Sequence, residues 1–362
     1  MMRPSRVMMA CAVAVMMACA VAGIVVGRAV MQGSALHPTV PRGSTRAGVG
    51  PAVRGDGLIA IVGVTRTLRT DTDAVYTMRP DGSQPRMLPL PAAMLPLMVA
   101  VSPDGKQLAF DAGNLFVIGT DGHGLRQLTP NTLNGPGNSF NVGGPETWSP
   151  DGQWIAFRAF VLDVQPNQVG AAVFAVRANG TGLHQVLTGF AVTSLAWGPG
   201  GLLAFTGTPY PAGPHWPAGR TGIWMVAMNT ADARPVPGTT RLLGSWTSGS
   251  PPSLVTVDGW SPDGRSLLIY DAPHHGDLSI LPAGGGRPRT LLDCPAQTCT
   301  TAYYLSSAAW SPDGSTIMFT VDQGVHDSST RFYTIPVAGG RLTLLHLSLM
   351  RVVSGLSWQP PG

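Results

Sequence analysis

The sequence predicts an all-β chain folded as a six-bladed β-propeller with four antiparallel strands in each blade, together with an N-terminal apolar helix. Three observations lead to this fold class. A five-residue motif recurs along the chain, its copies lie about fifty residues apart, and the two ends of the array complement one another. Short strands that recur at this period are typical of propeller blades rather than of a sandwich or a helical solenoid.

The repeated motif is Trp-Ser-Pro-Asp-Gly, which is typical of a tight turn between two strands. Proline suits the first central position of a type I turn, aspartate suits the next, and glycine then takes a positive φ. An apolar run such as Ile317-Met318-Phe319 follows the motif, so each copy marks the same β-hairpin. The copies, complete or degenerate, begin at Val101, Trp148, Trp197, Trp260, Trp310 and Trp358.

The ends of the array predict how the ring closes. Successive motifs are 47, 49, 63, 50 and 48 residues apart, and a third strand, a second polar turn and an outer strand follow the hairpin. In each repeat one strand leads into the Trp-Ser-Pro-Asp-Gly turn. The first strand of the array, residues 58–62, has no such strand ahead of it, whereas residues 353–358 form one at the other end. We therefore expect the C-terminal strand to complete the first blade of a propeller spanning residues 56–362. Such closure hides the sheet edges that an open array would expose.

The motif, its apolar strand and the later Asp-Gly or Asn-Gly turn resemble the repeat of TolB-like six-bladed β-propellers and the related propeller domains of prolyl-oligopeptidase-like peptidases. The resemblance covers residues 56–362 and implies a rigid scaffold that binds partners. TolB itself carries an α/β domain ahead of its propeller, and only a short linker fills that place here, so the contacts of that domain do not transfer. The sequence also lacks the Gly-x-Ser-x-Gly motif of a serine hydrolase, which argues against peptidase activity.

The N-terminal region predicts membrane attachment. Residues 7–27 carry no charge and are long enough to cross a bilayer core of ~30 Å as a helix. Arg3 and Arg6 precede them, which favours a cytoplasmic stub at residues 1–6 and export of the rest. We expect a single-pass anchor in the cell membrane, a flexible linker at residues 28–55, and a periplasmic or extracellular propeller. Cleavage as a signal peptide and lipidation at Cys19 are the alternatives.

Charge and motif content exclude several classes of function. From Asp56 onward the chain has 17 basic and 19 acidic residues without a basic run, so it offers no nucleic-acid footprint. No phosphate-binding loop and no His-Glu-x-x-His motif occurs, and Glu146 is the single glutamate. We therefore expect no cofactor and no metal. We expect a monomer that binds a protein or cell-envelope partner and contacts the membrane through its N-terminal helix.

Candidate ligand-binding residues lie on one mouth of the predicted channel. The connections between second and third strands share this end of the blades, and Asp111 and Asn114 belong to it. Imidazole and carboxylate groups suit a polar ligand or a transition metal, but exposed loops of any protein carry such residues. The candidates are Tyr210, His215, Trp216, Asp271, His274, His275, His326 and Asp327.

Two further expectations concern the cysteines and catalysis. Cys294 and Cys299 are separated by four residues, and such a pair in an exported domain is expected to form a disulfide. For function we expect a non-catalytic, membrane-anchored, extracytoplasmic binding or scaffold module. The alternative is an extracytoplasmic saccharide-acting enzyme, a lyase or hydrolase, with its chemistry at the loop-rich mouth. That alternative requires His274, His275 and His326 to converge.

Overall fold

A computed structural model of the protein describes residues 57–66, 71–131, 139–162, 169–209, 221–245, 255–271, 277–292, 304–322, 330–345 and 353–359. These residues form six antiparallel sheets, one for each blade of a β-propeller. The predicted six blades and their four-stranded pattern are confirmed. Blade 4 departs from the pattern because its third strand pairs with two short outer strands.

The first three blades follow the predicted order. Blade 1 comprises β1 (Ile59–Arg66), β2 (Asp71–Met78), β3 (Arg86–Met87) and β25 (Val353–Trp358). Blade 2 comprises β4 (Val99–Val101), β5 (Gln107–Asp111), β6 (Leu115–Gly119) and β7 (Arg126–Gln127). Blade 3 comprises β8 (Ser139–Trp148), β9 (Trp154–Leu162), β10 (Val169–Arg177) and β11 (His184–Leu187).

The last three blades repeat the arrangement. Blade 4 comprises β12 (Phe190–Gly198), β13 (Leu202–Pro209), β14 (Gly222–Asn229), β15 (Arg234–Pro235) and β16 (Arg241–Ser245). Blade 5 comprises β17 (Val255–Trp260), β18 (Ser266–Asp271), β19 (Asp277–Pro282) and β20 (Arg289–Leu292). Blade 6 comprises β21 (Tyr304–Trp310), β22 (Thr316–Asp322), β23 (Thr330–Pro336) and β24 (Thr343–Leu345).

The ring closes as predicted, through the C-terminal strand. β25 pairs antiparallel with β1, so that Ile59 lies opposite Trp358 and Ile61 lies opposite Leu356. The N–H of Gln359 donates to the carbonyl of Leu58 at 2.8 Å and extends the ladder past the strand end. The first and last strands of the propeller therefore belong to one sheet.

The N-terminal apolar helix in the predicted fold requires correction. Within the described ranges the single helical element is a 3₁₀ turn, Pro199–Gly201, which forms the degenerate motif of blade 4. Nothing in those ranges forms a helix long and apolar enough to cross a membrane. The described chain is built from antiparallel hairpins, whose apolar runs follow the period of a strand rather than that of a helix. Residues 7–27, on which the predicted anchor rested, lie outside the described residues.

The repeated turn is stabilised by its own side chains. The N–H of Gly105 donates to the carbonyl of Ser102 at 2.9 Å, and Gly105 has a φ of 68°. The hydroxyl of Ser102 donates to Asp104 Oδ1 at 2.7 Å and accepts the N–H of Gln107 at 2.9 Å. The same bonds recur in the turns that begin at Ser149, Ser261 and Ser311. This confirms the turn-forming role of the motif aspartates.

Neighbouring blades are joined along their innermost strands. Each of six clusters of buried apolar side chains contains residues of two adjacent blades. The indole Nε1 of Trp260 donates to the carbonyl of Ala196 in the preceding blade at 3.0 Å, and that of Trp148 donates to the carbonyl of Ala100 in the same way at 3.1 Å. Inner-strand hydroxyls also accept backbone N–H groups of the following blade, in the pairs Thr147 with Trp197, Ser194 with Val257, Ser307 with Leu356 and Ser357 with Val101.

A second set of seam contacts lies at the periphery and was not predicted. In five blades a basic residue at one register position of the outer strand lies within hydrogen-bond distance of a turn carbonyl in the next blade. The residue and acceptor pairs are Arg86 with Asp121, Arg126 with Ala178, His184 with Ala233, Arg241 with Ala283 and Arg289 with Val337. Thr343 occupies this position in blade 6. It pairs with Thr334 on the third strand of its blade, just as Arg126 pairs with Val117 on the third strand of blade 2. In the described part of the chain Thr343 makes no such bond.

Substituting Thr343→Arg is expected to supply the missing contact. By analogy with the other five seams, we expect the new guanidinium to meet the blade 1 turn at Pro80 and Asp81, and one added hydrogen bond contributes roughly 0.5–1.5 kcal/mol. Urea unfolding should show a higher midpoint with an unchanged slope. Thr343→Gln, which is polar but shorter and uncharged, should leave the free energy of unfolding within about 0.5 kcal/mol of wild type. Equal midpoints for the arginine and glutamine variants would refute the assignment.

Candidate binding channel

The six innermost strands surround a central channel with a volume of about 380 Å³. We call the end at the Ser-Pro-Asp-Gly turns, such as residues 102–105, the turn face. We call the opposite end, at connections such as residues 112–114, the loop face. Five motif tryptophans and several hydroxyl groups line the channel, the latter including Thr147, Ser194 and Ser307. The inner-strand hydrogen bonds described above hold this lining in place.

Two carboxyl groups line the channel and are its charged groups among the described residues. Glu146 lies on β8 between the loop-face end and the motif residue Trp148, and it is only 7% exposed. Both of its carboxyl oxygens lack a hydrogen-bond partner in the described part of the protein. Asp258 lies on β17 and is half-buried, and its Oδ1 accepts a hydrogen bond from the Thr256 hydroxyl at 3.0 Å. The carboxyl of Asp258 therefore has a hydrogen-bond donor, whereas the carboxyl of Glu146 has none among the described residues.

Asp111 lies behind Glu146, between blades 2 and 3, and is completely buried. Its Oδ1 accepts the N–H of Met98 at 2.7 Å, and its Oδ2 accepts the N–H of Gly144 at 3.3 Å. Gly144 belongs to a bulge of β8 that lies opposite Arg158 on β9. The Nε of Arg158 donates to the carbonyl of Gly143 at 2.8 Å. Asp111 thus joins the start of blade 2 to the bulge of blade 3.

Burial dominates the protonation of these three groups. It raises the pKa of Asp111 to about 7, although the N–H groups of Met98 and Gly144 oppose the rise. Burial, and secondarily the proximity of Asp111, raise the pKa of Glu146 well above its usual value, although its own backbone N–H opposes the rise. Part of Asp258 is exposed, yet protein surrounds its carboxyl, and this desolvation raises the pKa to about 7 against the Thr256 hydrogen bond. Asp111 and Asp258 therefore keep protons near neutral pH that exposed carboxyls lose, and Glu146 keeps its proton to a higher pH than an exposed glutamate does.

Most of the binding residues predicted from the sequence stay untested. Tyr210, His215, Trp216, His274, His275, His326 and Asp327 lie outside the described residues, as do Cys294 and Cys299. Asp271 ends β18, opposite Val255 and Asp277 of the flanking strands. The sequence placed Asp111 on the connections at the loop-face mouth, whereas the structure buries it completely. Glu146 and Asp258 were not among the predicted site residues.

The two channel carboxyls can be recognised in the sequence when the repeats are compared. Glu146 and Asp258 both stand two residues before a motif tryptophan. This position is apolar in the other blades, where it is occupied by Val99, Leu195, Ala308 and Leu356. An acidic residue at an otherwise apolar repeat position on an inner strand is a departure that packing does not require.

Comparisons with known proteins agree on the fold. No family model matches the chain. A protein from Agrobacterium tumefaciens assigned as TolB is 16% identical, with a TM-score of 0.54 over 84% of this chain and 99% of that one. A chain from a nidogen/laminin complex is 13% identical, with a TM-score of 0.54 over 84% of this chain and 98% of that one.

One curated relative matches a shorter stretch. The uncharacterized peptidase YuxL of Bacillus subtilis is 34% identical over 111 residues, which is 30% of this chain and 14% of that protein. The chain therefore matches a small part of that protein's length. Together the comparisons show that the protein shares the six-bladed propeller fold of TolB-like structures, while its assignment to the TolB repeat family is not confirmed.

Proposed function

We propose that the protein is a non-catalytic binding module that holds a protein partner or a cell-envelope component at the loop-face mouth of its channel. The observation that carries this proposal is the pre-organised channel itself. Its carboxyl and hydroxyl groups are fixed on strands that hydrogen-bond from blade to blade, so little ordering is required on binding. A nidogen/laminin complex of the same fold provides a precedent for protein association by a propeller, although likeness at 13% identity shows only the fold.

The distribution of charge favours the loop face as the binding end. Among the described residues, strand ends at the loop face carry more acids than bases: Asp71, Asp73, Asp271, Asp277 and Asp322, with Arg66 and Arg331. The turn face has the opposite balance. Its bases are Arg79, Arg86, Lys106, Arg126, Arg177, Arg234, Arg241, Arg265, Arg287, Arg289 and Arg341, and its acids are Asp81, Asp104, Asp121, Asp151, Asp232, Asp263 and Asp313. A basic partner is therefore steered toward the loop face.

The saccharide-acting alternative gains no support from the described residues. It depends on His274, His275 and His326, which lie outside them, so it stays a prediction. The acidic channel lining instead favours recognition of a positively charged group.

Site-specific photo-crosslinking in intact cells tests the proposal. A photoreactive amino acid at Asn131, which is exposed beside Asn114 at the loop-face end of blade 2, should give a covalent adduct with a partner. The same amino acid at Lys106, exposed at the turn-face end of the same blade, should give none. Adducts of equal yield at both positions, or at Lys106 alone, would contradict binding at the loop face.

A further inference from the structure

We propose that the channel binds one organic cation, the ammonium or guanidinium group of a basic side chain on a protein partner, at the carboxyl of Glu146. This inference rests on the proposed function, because it names the chemistry by which that partner is held. It makes Glu146 the specificity-determining residue of the channel.

The state of Glu146 is the first argument. A buried carboxyl without a hydrogen-bond partner destabilises a fold, and here both oxygens are in that state among the described residues. The other buried acid nearby, Asp111, accepts two backbone N–H groups and so has a structural role. Glu146 has no such role, and its repeat position is apolar in four other blades. A ligand bound beside Glu146 would supply the missing donors.

The surroundings of Glu146 favour a cation over an anion or an apolar group. Asp111 from blade 2 acts electrostatically on Glu146, and Asp258 contributes a second carboxyl to the channel lining from blade 5. Arg158, on the neighbouring strand, is directed to the Gly143 carbonyl and acts electrostatically on Asp111. Five motif tryptophans also border the channel, so their fluorescence can report binding.

The donor set favours an organic cation over a metal ion. Within the described ranges no group of three His, Cys, Asp or Glu side chains could hold a metal. Calcium takes six to eight oxygen ligands, and both Asp111 oxygens already accept N–H groups. A bound cation favours the ionised form of Glu146, so the carboxyl releases its proton on binding and, as a carboxylate beside a few hydroxyl or carbonyl acceptors, satisfies an alkylammonium group. The channel volume of about 380 Å³ admits an extended basic side chain.

Titration of the full-length chain with n-butylammonium tests this site directly. Intrinsic fluorescence of the channel tryptophans should change saturably, whereas n-butanol, a neutral molecule of similar size, should give no saturable change. Glu146→Gln should weaken butylammonium binding by roughly tenfold or more, since it removes a charge-assisted hydrogen bond. Asp232→Asn is the matched control, because it removes an exposed carboxylate at the turn face and should bind as wild type. Equal binding by wild type and Glu146→Gln would overturn the inference.

Further measurements distinguish failure of the cation site from failure of the proposed partner binding. A fluorescence response to calcium that requires Glu146, with no response to butylammonium, would replace the organic cation by a metal and overturn the inference. A crosslink at Asn131 that persists undiminished in Glu146→Gln would leave partner binding standing and remove the role of Glu146. Butylammonium binding through Glu146 with no adduct at Asn131 in wild type would support the cation site and refute the protein partner.

Discussion

A chain that ends at residue 352, and so lacks β25, should show no cooperative unfolding transition. Leu356 and Trp358 belong to the apolar cluster between blades 6 and 1, together with Ile59 and Met318. Loss of a buried leucine typically costs about 2–5 kcal/mol and loss of a buried tryptophan about 3–5 kcal/mol, and the net stability of a domain is about 5–15 kcal/mol. The truncation removes two such side chains and leaves the β1 edge unpaired. Circular dichroism during urea unfolding measures the result.

The same truncation also removes both seam bonds of this strand. Ser357 accepts the N–H of Val101 in blade 2, and the N–H of Leu356 donates to Ser307 in blade 6. A synthetic peptide of residues 353–359 should restore the transition in a concentration-dependent way, because it can pair with β1. A truncated chain that unfolds with the wild-type midpoint would show that closure through β25 contributes little.

The stability of wild type should fall as pH rises from about 4 through about 7. The pKa of Asp111 is raised to about 7, and that of Glu146 is also raised, so the folded state keeps protons that the unfolded state releases. Stability decreases with pH wherever the folded state binds more protons, by about 1.4 kcal/mol per pH unit for each such group. The stability that these raised pKa values contribute is therefore fully present below the pKa of the unfolded state, and it is lost as the pH rises through the pKa of the folded state.

Glu146→Gln should flatten this pH dependence. It removes the ionisable group, and with it the free-energy cost of ionising a buried carboxyl as the pH rises. The variant should therefore match or exceed the wild-type stability at pH 8 and should differ less from it at pH 4. Urea unfolding at pH 4, 6 and 8 measures both curves. Parallel curves for wild type and variant would rule out Glu146 as a titrating group in this range.

Asp263→Asn is the control of opposite sign. The hydroxyl of Ser261 donates to Asp263, and this hydrogen bond lowers the pKa of the turn carboxyl. A lowered carboxyl pKa stabilises the fold above the unfolded pKa, and the effect is lost as pH falls. Asp263→Asn should therefore destabilise the protein at pH 8 and approach wild type in acid. The two variants together distinguish a buried proton from a general effect of charge removal.

The parts of the fold that were predictable from sequence depend on local chemistry. Ser-Pro-Asp-Gly forms its turn with bonds among a few neighbouring residues, so Ser261 and Asp263 carry the information themselves. The number of blades then follows from the alternation of turns and apolar runs along the chain. Closure of the ring was predictable because an unpartnered strand stood at each end of the array, and pairing the two removes exposed sheet edges. The predicted N-terminal helix rested on hydropathy of residues outside the described ranges.

The candidate site depends on contacts between residues far apart in sequence. Asp111 and Glu146 belong to different blades, and only the ring places one carboxyl beside the other. The same holds for Arg126, whose acceptor in the next blade lies 52 residues away. Turn chemistry acts within a few residues, so the sequence determines the hairpins, the number of blades and the closing strand. Desolvation and charge proximity act through space, so the unsatisfied state of Glu146 emerges only when blades 2 and 3 pack together.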